Sequence, residues 1–473
     1  MQNRKDLLQA HRLMTQRSAL ALICGEPDSP NQPLRRLNLG TISSVLVGAI
    51  AAGVFAVLGL IAPGSASGLT RPGTLVIDSA TATAYVPCDG GKLCPALNEA
   101  SALLALDSAS VRRVNASRAS LSHYSIGPTI GVAGLPQDLP AAGDLVSGPW
   151  AVCAASGITT LVGGRSVGGT TLGAASAELA TTGQGGDWVL WNGARLLIDP
   201  QVAQTLFPAM QVQTVPLAWL DALPQGPDFT APQIPGQGAV VTGPGGTPAT
   251  AGQVYGQPSA GGAAAQYYVL LASGKLAQIS ATQAQLLERE PGAPAQRPIS
   301  PSMATGDLSG TPIPAGGLPS TVPALAPANP ALCVRYGPGL QRQIITGGTV
   351  PTGATPAAAT AAGATPAGAT PAGATSGGAT SAAAVSQVWL PPAHGALVGA
   401  APGSTASGVT SYVLVTGATR YALSSQGVAA VLGYDLKTQA TVLPAALLDL
   451  LPSGPALTPA AATTSAAPPP PSG

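Results

Sequence analysis

The sequence predicts an α+β protein: a single N-terminal transmembrane helix, then an elongated extracytoplasmic region with a discontinuous central mixed domain and four small β-β-α repeat domains. Three observations carry this expectation. A charge-free apolar stretch runs from Gly40 to Ile61, a hairpin-then-helix pattern recurs along the chain, and strand-like patches between the recurrences hold Cys153 and Cys333.

The apolar stretch, GTISSVLVGAIAAGVFAVLGLI, is long enough to span. About 20 residues at about 1.5 Å each cross a hydrocarbon core of about 30 Å. Pro63 and Gly64 follow at once and mark the exit, because proline cannot continue a helix without losing a hydrogen bond. Arg4, Lys5, Arg12, Arg17, Arg35 and Arg36 precede the span and the next basic residue is Arg71, so the positive-inside rule puts the N-terminus in the cytosol. A signal peptide cleaved near Ser65-Ala66-Ser67 is the competing reading; the long leading segment and long apolar stretch exceed its usual dimensions. Residues 2–24 read as a short amphipathic helix, with Leu7, Ala10, Met14 and Leu20 on one side among basic residues. Such a segment lies on a lipid surface or docks on a partner.

Beyond the span, three copies of a pattern are clear: DWVLWNGARLLID from Asp187, YYVLLASGKLAQIS from Tyr267 and SYVLVTGATRYALS from Ser411. Each opens with an aromatic and Val-Leu, turns at Gly193, Gly274 or Gly417, and shows a basic residue, Arg195, Lys275 or Arg420. A helix-start residue follows each: Asp199 before Pro200, Ser280 with Gln283 in capping-box spacing, and Ser424. A diverged fourth copy starts at Ala84, with Asn98 as the cap. An isolated hairpin is marginal, so each unit must lean on a neighbour.

The resulting boundaries are 1–38 for the cytosolic segment, 39–62 for the transmembrane helix, 63–110 for repeat 1 and 111–186 for the first part of the central domain. Repeat 2 takes 187–240, repeat 3 with linkers 241–324, and the second part of the central domain 325–400. Repeat 4 takes 401–456 and a disordered tail 457–473. Within 350–384 a Gly-Ala-Thr repeat lacks anything large enough to build a core and reads as a solvated low-complexity loop.

The span divides the five cysteines. Cys24 falls on the cytosolic side as a free thiol, while Cys88, Cys94, Cys153 and Cys333 fall on the oxidising side. Four cysteines allow three connectivities. Cys88 and Cys94 flank an Asp-Gly-Gly turn, so a local bridge there would leave Cys153 to close on Cys333. Closing so large a loop contributes about 4–5 kcal/mol in the chain-entropy model. With three histidines, His11, His123 and His394, and no paired C-x2-C, the chain offers no metal signature, and no cofactor is expected.

Composition narrows function further. Charged residues are only 8% and the net charge is +1, so no field for nucleic acid is present. The glycine-rich run from Gly163 (GGRSVGGTTLG) has no lysine, and Gly274-Lys275 sits inside a repeat hairpin, so neither makes a phosphate-cradling loop. No nucleophile elbow or triad is recognisable, and catalytic and cofactor-binding residues stay unassigned.

The order of several motifs is more specific than any one of them. QNRKDLLQAHRLMTQRSALAL before a single span, CPALNEASALLAL, GPTIGVAGLPQDLP, GPWAVC at Cys153, YYVLLASGKLAQIS and YALSSQGVAAVLGYD together resemble the EccB family, membrane core components of the actinobacterial type VII (ESX) secretion system. The resemblance implies an inner-membrane protein with its bulk in the periplasm and a central domain flanked by repeats. It implies a scaffold role in a large complex with an FtsK/SpoIIIE-type ATPase and other membrane subunits, and self-association. It also implies a Cys153–Cys333 bridge; Cys88 and Cys94 do not carry over from the family. ATPase activity is ascribed to the family, and the residues of this sequence lend it no support. A third function class, grip on peptidoglycan through the basic residues of the hairpins, stays open at this point.

Overall fold

A computed structural model describes residues 3–25, 33–61, 68–209, 211–259, 264–357, 384–403 and 408–466. Contacts divide the chain into two units, one of residues 1–69, 77–82 and 114–124 and one of the remainder.

In the first unit the helix Arg4–Cys24 ends at Gly25, whose left-handed φ of 73° lets its N–H return to the Ala21 carbonyl. Leu7, Leu8, Leu13, Met14 and Leu22 are all more than half exposed. At about 100° per residue Leu7, Leu8, Met14 and Leu22 fall within about one third of the circumference while Leu13 lies opposite them, so the expected amphipathic face is present but not sharply drawn. The helix Pro33–Ile61 carries the apolar stretch. Its window Gly40–Val57 has a mean hydropathy of 2.0 and is 0% buried. Ser44 donates to the Thr41 carbonyl at 2.9 Å, satisfying its hydroxyl within the helix as a lipid environment demands.

In the second unit each repeat is larger than a hairpin and a helix. In repeat 2 the strands Ser176–Thr181, Asp187–Trp191 and Ala194–Ile198 form an antiparallel meander. The helix Pro200–Leu206 then crosses over, Val212–Thr214 returns parallel to the first strand, and the helix Leu217–Asp221 follows. Repeat 3 repeats this with Val254–Gln257, Gln266–Leu270, Leu276–Ile279, the helix Ala281–Glu288, Arg297–Pro298 and the helix Pro301–Gly306. Repeat 4 uses Gly395–Ala401, Ser411–Thr416, Thr419–Leu423, the helix Gln426–Val431, Thr441–Pro444 and the helix Ala445–Asp449. The sheet of repeat 1, on Thr74–Asp78, Ala84–Cys88, Lys92–Pro95 and Arg112–Ala116, has the same third-second-first-fourth strand order.

Caps set the crossover helices. Asn98 accepts from the Ser101 N–H at 2.8 Å, Asp199 from Gln201 and Val202, and Ser280 with Gln283 forms a reciprocal capping box. In repeat 4 the cap is Ser425, one residue beyond the expected Ser424. Ser424 instead donates its hydroxyl to the Leu457 carbonyl, which frees Ser425 to receive the Val428 N–H.

The central sheet has seven strands drawn from two distant stretches. Its middle is Ile158–Gly163, Trp150–Ala155, Ala331–Tyr336 and Arg342–Thr346, all antiparallel. One face packs Val152, Leu161 and Val334 with Trp219 of repeat 2 and Leu447 of repeat 4. The Trp219 indole N–H donates to the Val152 carbonyl at 3.0 Å and the Tyr336 hydroxyl to the Ala222 carbonyl at 2.9 Å, so the buried aromatics are also hydrogen-bonded. The repeats also pack in pairs. Leu104 of repeat 1 shares a core with Leu397 and Leu423 of repeat 4, and Leu286 of repeat 3 enters the core of repeat 2.

The start of the expected disordered tail is ordered. Leu457 is fully buried, Pro459–Ala462 is helical and Ser465 bridges to Ile130, because Leu457 and Ala462 complete the core shared by repeats 1 and 4. Residues 467–473, and 358–383 of the expected low-complexity loop, lie outside the described residues.

Candidate functional site

No cluster of three or more His, Cys, Asp or Glu suited to a metal occurs among the described residues. The glycine run from Gly163 leaves the strand Ile158–Gly163, turns, and becomes the sheet-edge strand Thr170–Thr171. Arg165 in that turn stacks over the Trp389 ring at 5.7 Å. Gly274 is a left-handed hairpin turn. Each run leads into a strand and not into a helix N-terminus, unlike a loop that cradles phosphate. His11 and His123 are exposed, and His394 Nδ1 lies 2.8 Å from the Pro392 carbonyl oxygen on a turn.

Both cysteine pairs are joined. Cys153 and Cys333 face each other across antiparallel strands, are fully buried, and have Cα atoms 4.0 Å apart. Cys88 and Cys94 close the hairpin of repeat 1 with Cα atoms 5.9 Å apart. A glycine covers each bridge: a Cβ on Gly127 would collide with the Cys94 sulfur, and one on Gly348 would lie 2.6 Å from the Cys333 sulfur. The missing side chains make the room the bridges occupy.

The basic residues of the hairpins are not free tips. Arg195 pairs with Asp221 at 2.7 Å, Arg420 with Asp449 at 2.7 Å and Lys275 with Asp307 at 3.7 Å. Each acid stands at the end of its repeat's second helix, so the pair ties the third strand to that helix. Beyond it the chain returns to the third strand: Gln225 bridges Arg195, Ser453 bridges Arg420 and Ile126 bridges Leu93, always in parallel. A Gly-Pro pair follows each of these, at Gly127, Gly226 and Gly454. The near-identical strings LDALPQGP and LDLLPSGP carry this closure, a signal the hairpin reading passed over. Arg195 and Arg420 are thus taken up by acids of their own repeats, while Lys275 stays about half exposed in a longer pair.

What remains is a membrane helix joined to a set of mutually packed repeats around a central sheet. A family model described as type VII secretion system ESX-1, transport TM domain B (EccB) matches residues 2–469. The chain belongs to this family. Among its relatives, the ESX-2 secretion system ATPase EccB2 of Mycobacterium tuberculosis is 33% identical over 318 residues, 62% of this chain and 61% of that protein. The ESX-5 secretion system ATPase EccB5 of Mycobacterium marinum is 30% identical over 289 residues, 56% and 55% of the two chains. Each match thus spans less than two thirds of the relative's length. Solved structures share the EccB fold. A chain of an intact ESX-5 inner membrane complex superposes with a TM-score of 0.64 at 23% identity, covering 99% of this chain and 96% of that one. The EccB3 dimer from the ESX-3 core complex gives 0.61 at 24% identity, covering 82% and 99%.

Proposed function

We propose that this EccB-family chain is a structural scaffold subunit of the inner-membrane core complex of a type VII (ESX) secretion system. The single observation that carries the reading is the exposed apolar helix Gly40–Val57 attached to a repeat-and-sheet region whose fold is that of chains in such complexes. In this reading the N-terminus lies in the cytosol, the repeats and the central sheet stand in the periplasm, and the bridges Cys153–Cys333 and Cys88–Cys94 form in that oxidising compartment. Self-association and contact with an FtsK/SpoIIIE-type ATPase and other membrane subunits follow from the same reading.

Size and composition of the detergent-extracted complex test it. The tagged chain should elute with other membrane subunits in a particle far larger than one chain; recovery as a free monomer would overturn the proposal. Orientation has its own test: Cys24 in intact cells should resist a membrane-impermeant thiol reagent. The names of EccB2 and EccB5 carry the word ATPase, and nucleotide turnover by the purified chain above a mock preparation would favour an enzymatic role instead.

A further inference from the structure

The central sheet carries charge of one sign. No aspartate or glutamate occurs from Leu145 to Ala177 or from Leu308 to Tyr434, and all seven of its strands fall inside those two stretches. Within the sheet and its turns the basic residues are Arg165, Arg335 and Arg342. Register sorts them by face. Arg335 stands opposite Ala151 on one neighbouring strand and Gln343 on the other, and shares the face of Cys333, two residues before it. Ala151 pairs with Val162 and Val162 with Trp389, which carries the same row to the far side of the sheet. Arg165 stacks on the Trp389 ring, and Trp389 packs with Val162, Cys153 and Cys333, so this second guanidinium is on the same face. Arg342, opposite Tyr336, belongs to the other face.

Arg165 is exposed and Arg335 partly so, and neither has an acidic partner among the described residues. The hairpin cations of the repeats differ, since Arg195, Arg420 and Lys275 each meet an aspartate of their own repeat. Arg335 gives two N–H groups to the Gln343 amide oxygen and Arg165 lies on a ring, so both are oriented and both keep donors for a bidentate acceptor. Three strand steps of about 4.8 Å separate Arg335 from Trp389, about 14 Å in all, the span of about four residues of extended chain. A positive face without counter-ions attracts anions, and two guanidiniums so spaced suit two carboxylates on one extended chain better than one small anion.

We propose that this face of the central sheet docks an extended acidic segment of a partner protein, with Arg335 and Arg165 each taking a carboxylate. That the carboxylates come from a protein rests on the scaffold reading, in which the chain works by contact with other subunits. The full chain in detergent is titrated with a fluorescein-labelled glutamate decamer, and with a glutamine decamer as the neutral match, by fluorescence polarisation. The glutamate decamer should bind about tenfold or more tighter, and Arg165→Gln and Arg335→Gln should each weaken it about three- to fivefold, as exposed charge pairs do. Arg297→Gln, which removes an exposed arginine of repeat 3, should leave binding unchanged. The doubly reversed chain, Arg165→Glu with Arg335→Glu, should prefer a lysine decamer, a gain that an unfolded face does not give. Equal binding of the glutamate and glutamine decamers, an equal loss in Arg297→Gln, or no binding at millimolar concentration overturns the proposal. Tighter binding of a polyphosphate of equal length would assign the face to a phosphate polymer and overturn it too. The assay needs no other subunit, so its failure leaves the scaffold reading standing, and recovery of the chain as a free monomer leaves the measured affinity untouched.

Discussion

At Gly454 the backbone passes so close to the Tyr421 ring that a Cβ would overlap it. The contact is forced by two hydrogen bonds, Arg420 N–H to the Pro452 carbonyl and Gly454 N–H to the Arg420 carbonyl, each 2.9 Å or shorter. Gly454→Ala must therefore displace a buried aromatic or break the closure, and overpacking of this kind costs about 1–3 kcal/mol. Thermal unfolding should show that loss, while Gly310→Ala, on the returning chain of repeat 3 where nothing lies within 4 Å, should be near neutral. Glu178 makes a prediction of a different kind. Its carboxyl is raised to about 7 by desolvation, so the native chain holds a proton that the unfolded chain releases in the ordinary carboxylate range. The resulting stabilisation is fully present below that range and is lost as pH rises through about 7. Glu178→Gln removes the titration, so it should stabilise the chain by about 2–3 kcal/mol at pH 8 relative to its effect at pH 4. Denaturant midpoints of both proteins at the two pH values check this; an equal effect at both would show that the site does not titrate in that window.

Among the elements, the hairpins were legible because a turn glycine, an alternating pattern and a cap stand within a few residues of one another, as at Gly274 and Ser280. The first and fourth strands of each repeat were not. Gly395–Ala401 is buried along its whole length and so shows no alternation, and Arg297–Pro298 is too short to have a period. Their pairing is decided by tertiary contact, as is the ordering of Leu457 to Ala462, which reads as low-complexity sequence until repeats 1 and 4 supply the core it fills. The cysteines were visible in the sequence and the unpartnered Glu178 carboxyl was not, since Glu178 sits in an unremarkable string, SAELAT, and becomes unusual only when its neighbours fail to pair with it. The Cys153–Cys333 link acts at this same scale. It joins neighbouring strands 180 residues apart in sequence, the cross-connection between the two halves of the central sheet. Replacing both cysteines by alanine should cost about 2–5 kcal/mol, read as a lowered unfolding midpoint under non-reducing conditions. Under reducing conditions the wild type should fall toward the variant; a variant as stable as the oxidised wild type would mean that the bridge does not constrain the unfolded chain.

For the molecule as a whole, the unexplained part is the N-terminal helix. Arg4–Cys24 is long for a mere flank of a span, whose orientation needs only a few nearby basic residues such as Arg35 and Arg36. It exposes Leu7, Leu8, Leu13, Met14 and Leu22, with Leu13 on the side opposite the other four. A helix of this length without tertiary packing is only marginally stable in water, because nucleation is costly and little burial offsets it. A surface that contacts it from more than one side satisfies both facts, and a protein groove does so better than a flat lipid surface, which buries one face. The scaffold proposal supplies such a groove in the cytosolic part of the secretion complex. Removing residues 2–24 while keeping Arg35 and Arg36 should then leave membrane insertion and the bridges intact, because those depend on Pro33–Ile61 and on the second unit. Co-purification with the membrane ATPase subunit, and secretion, should both fall severalfold. If the shortened chain still recovers the whole complex at wild-type levels, the helix is a solvated or lipid-lying flank, and the contact that holds the proposed scaffold to its machinery must be sought on Pro33–Ile61 or on the sheets of the second unit.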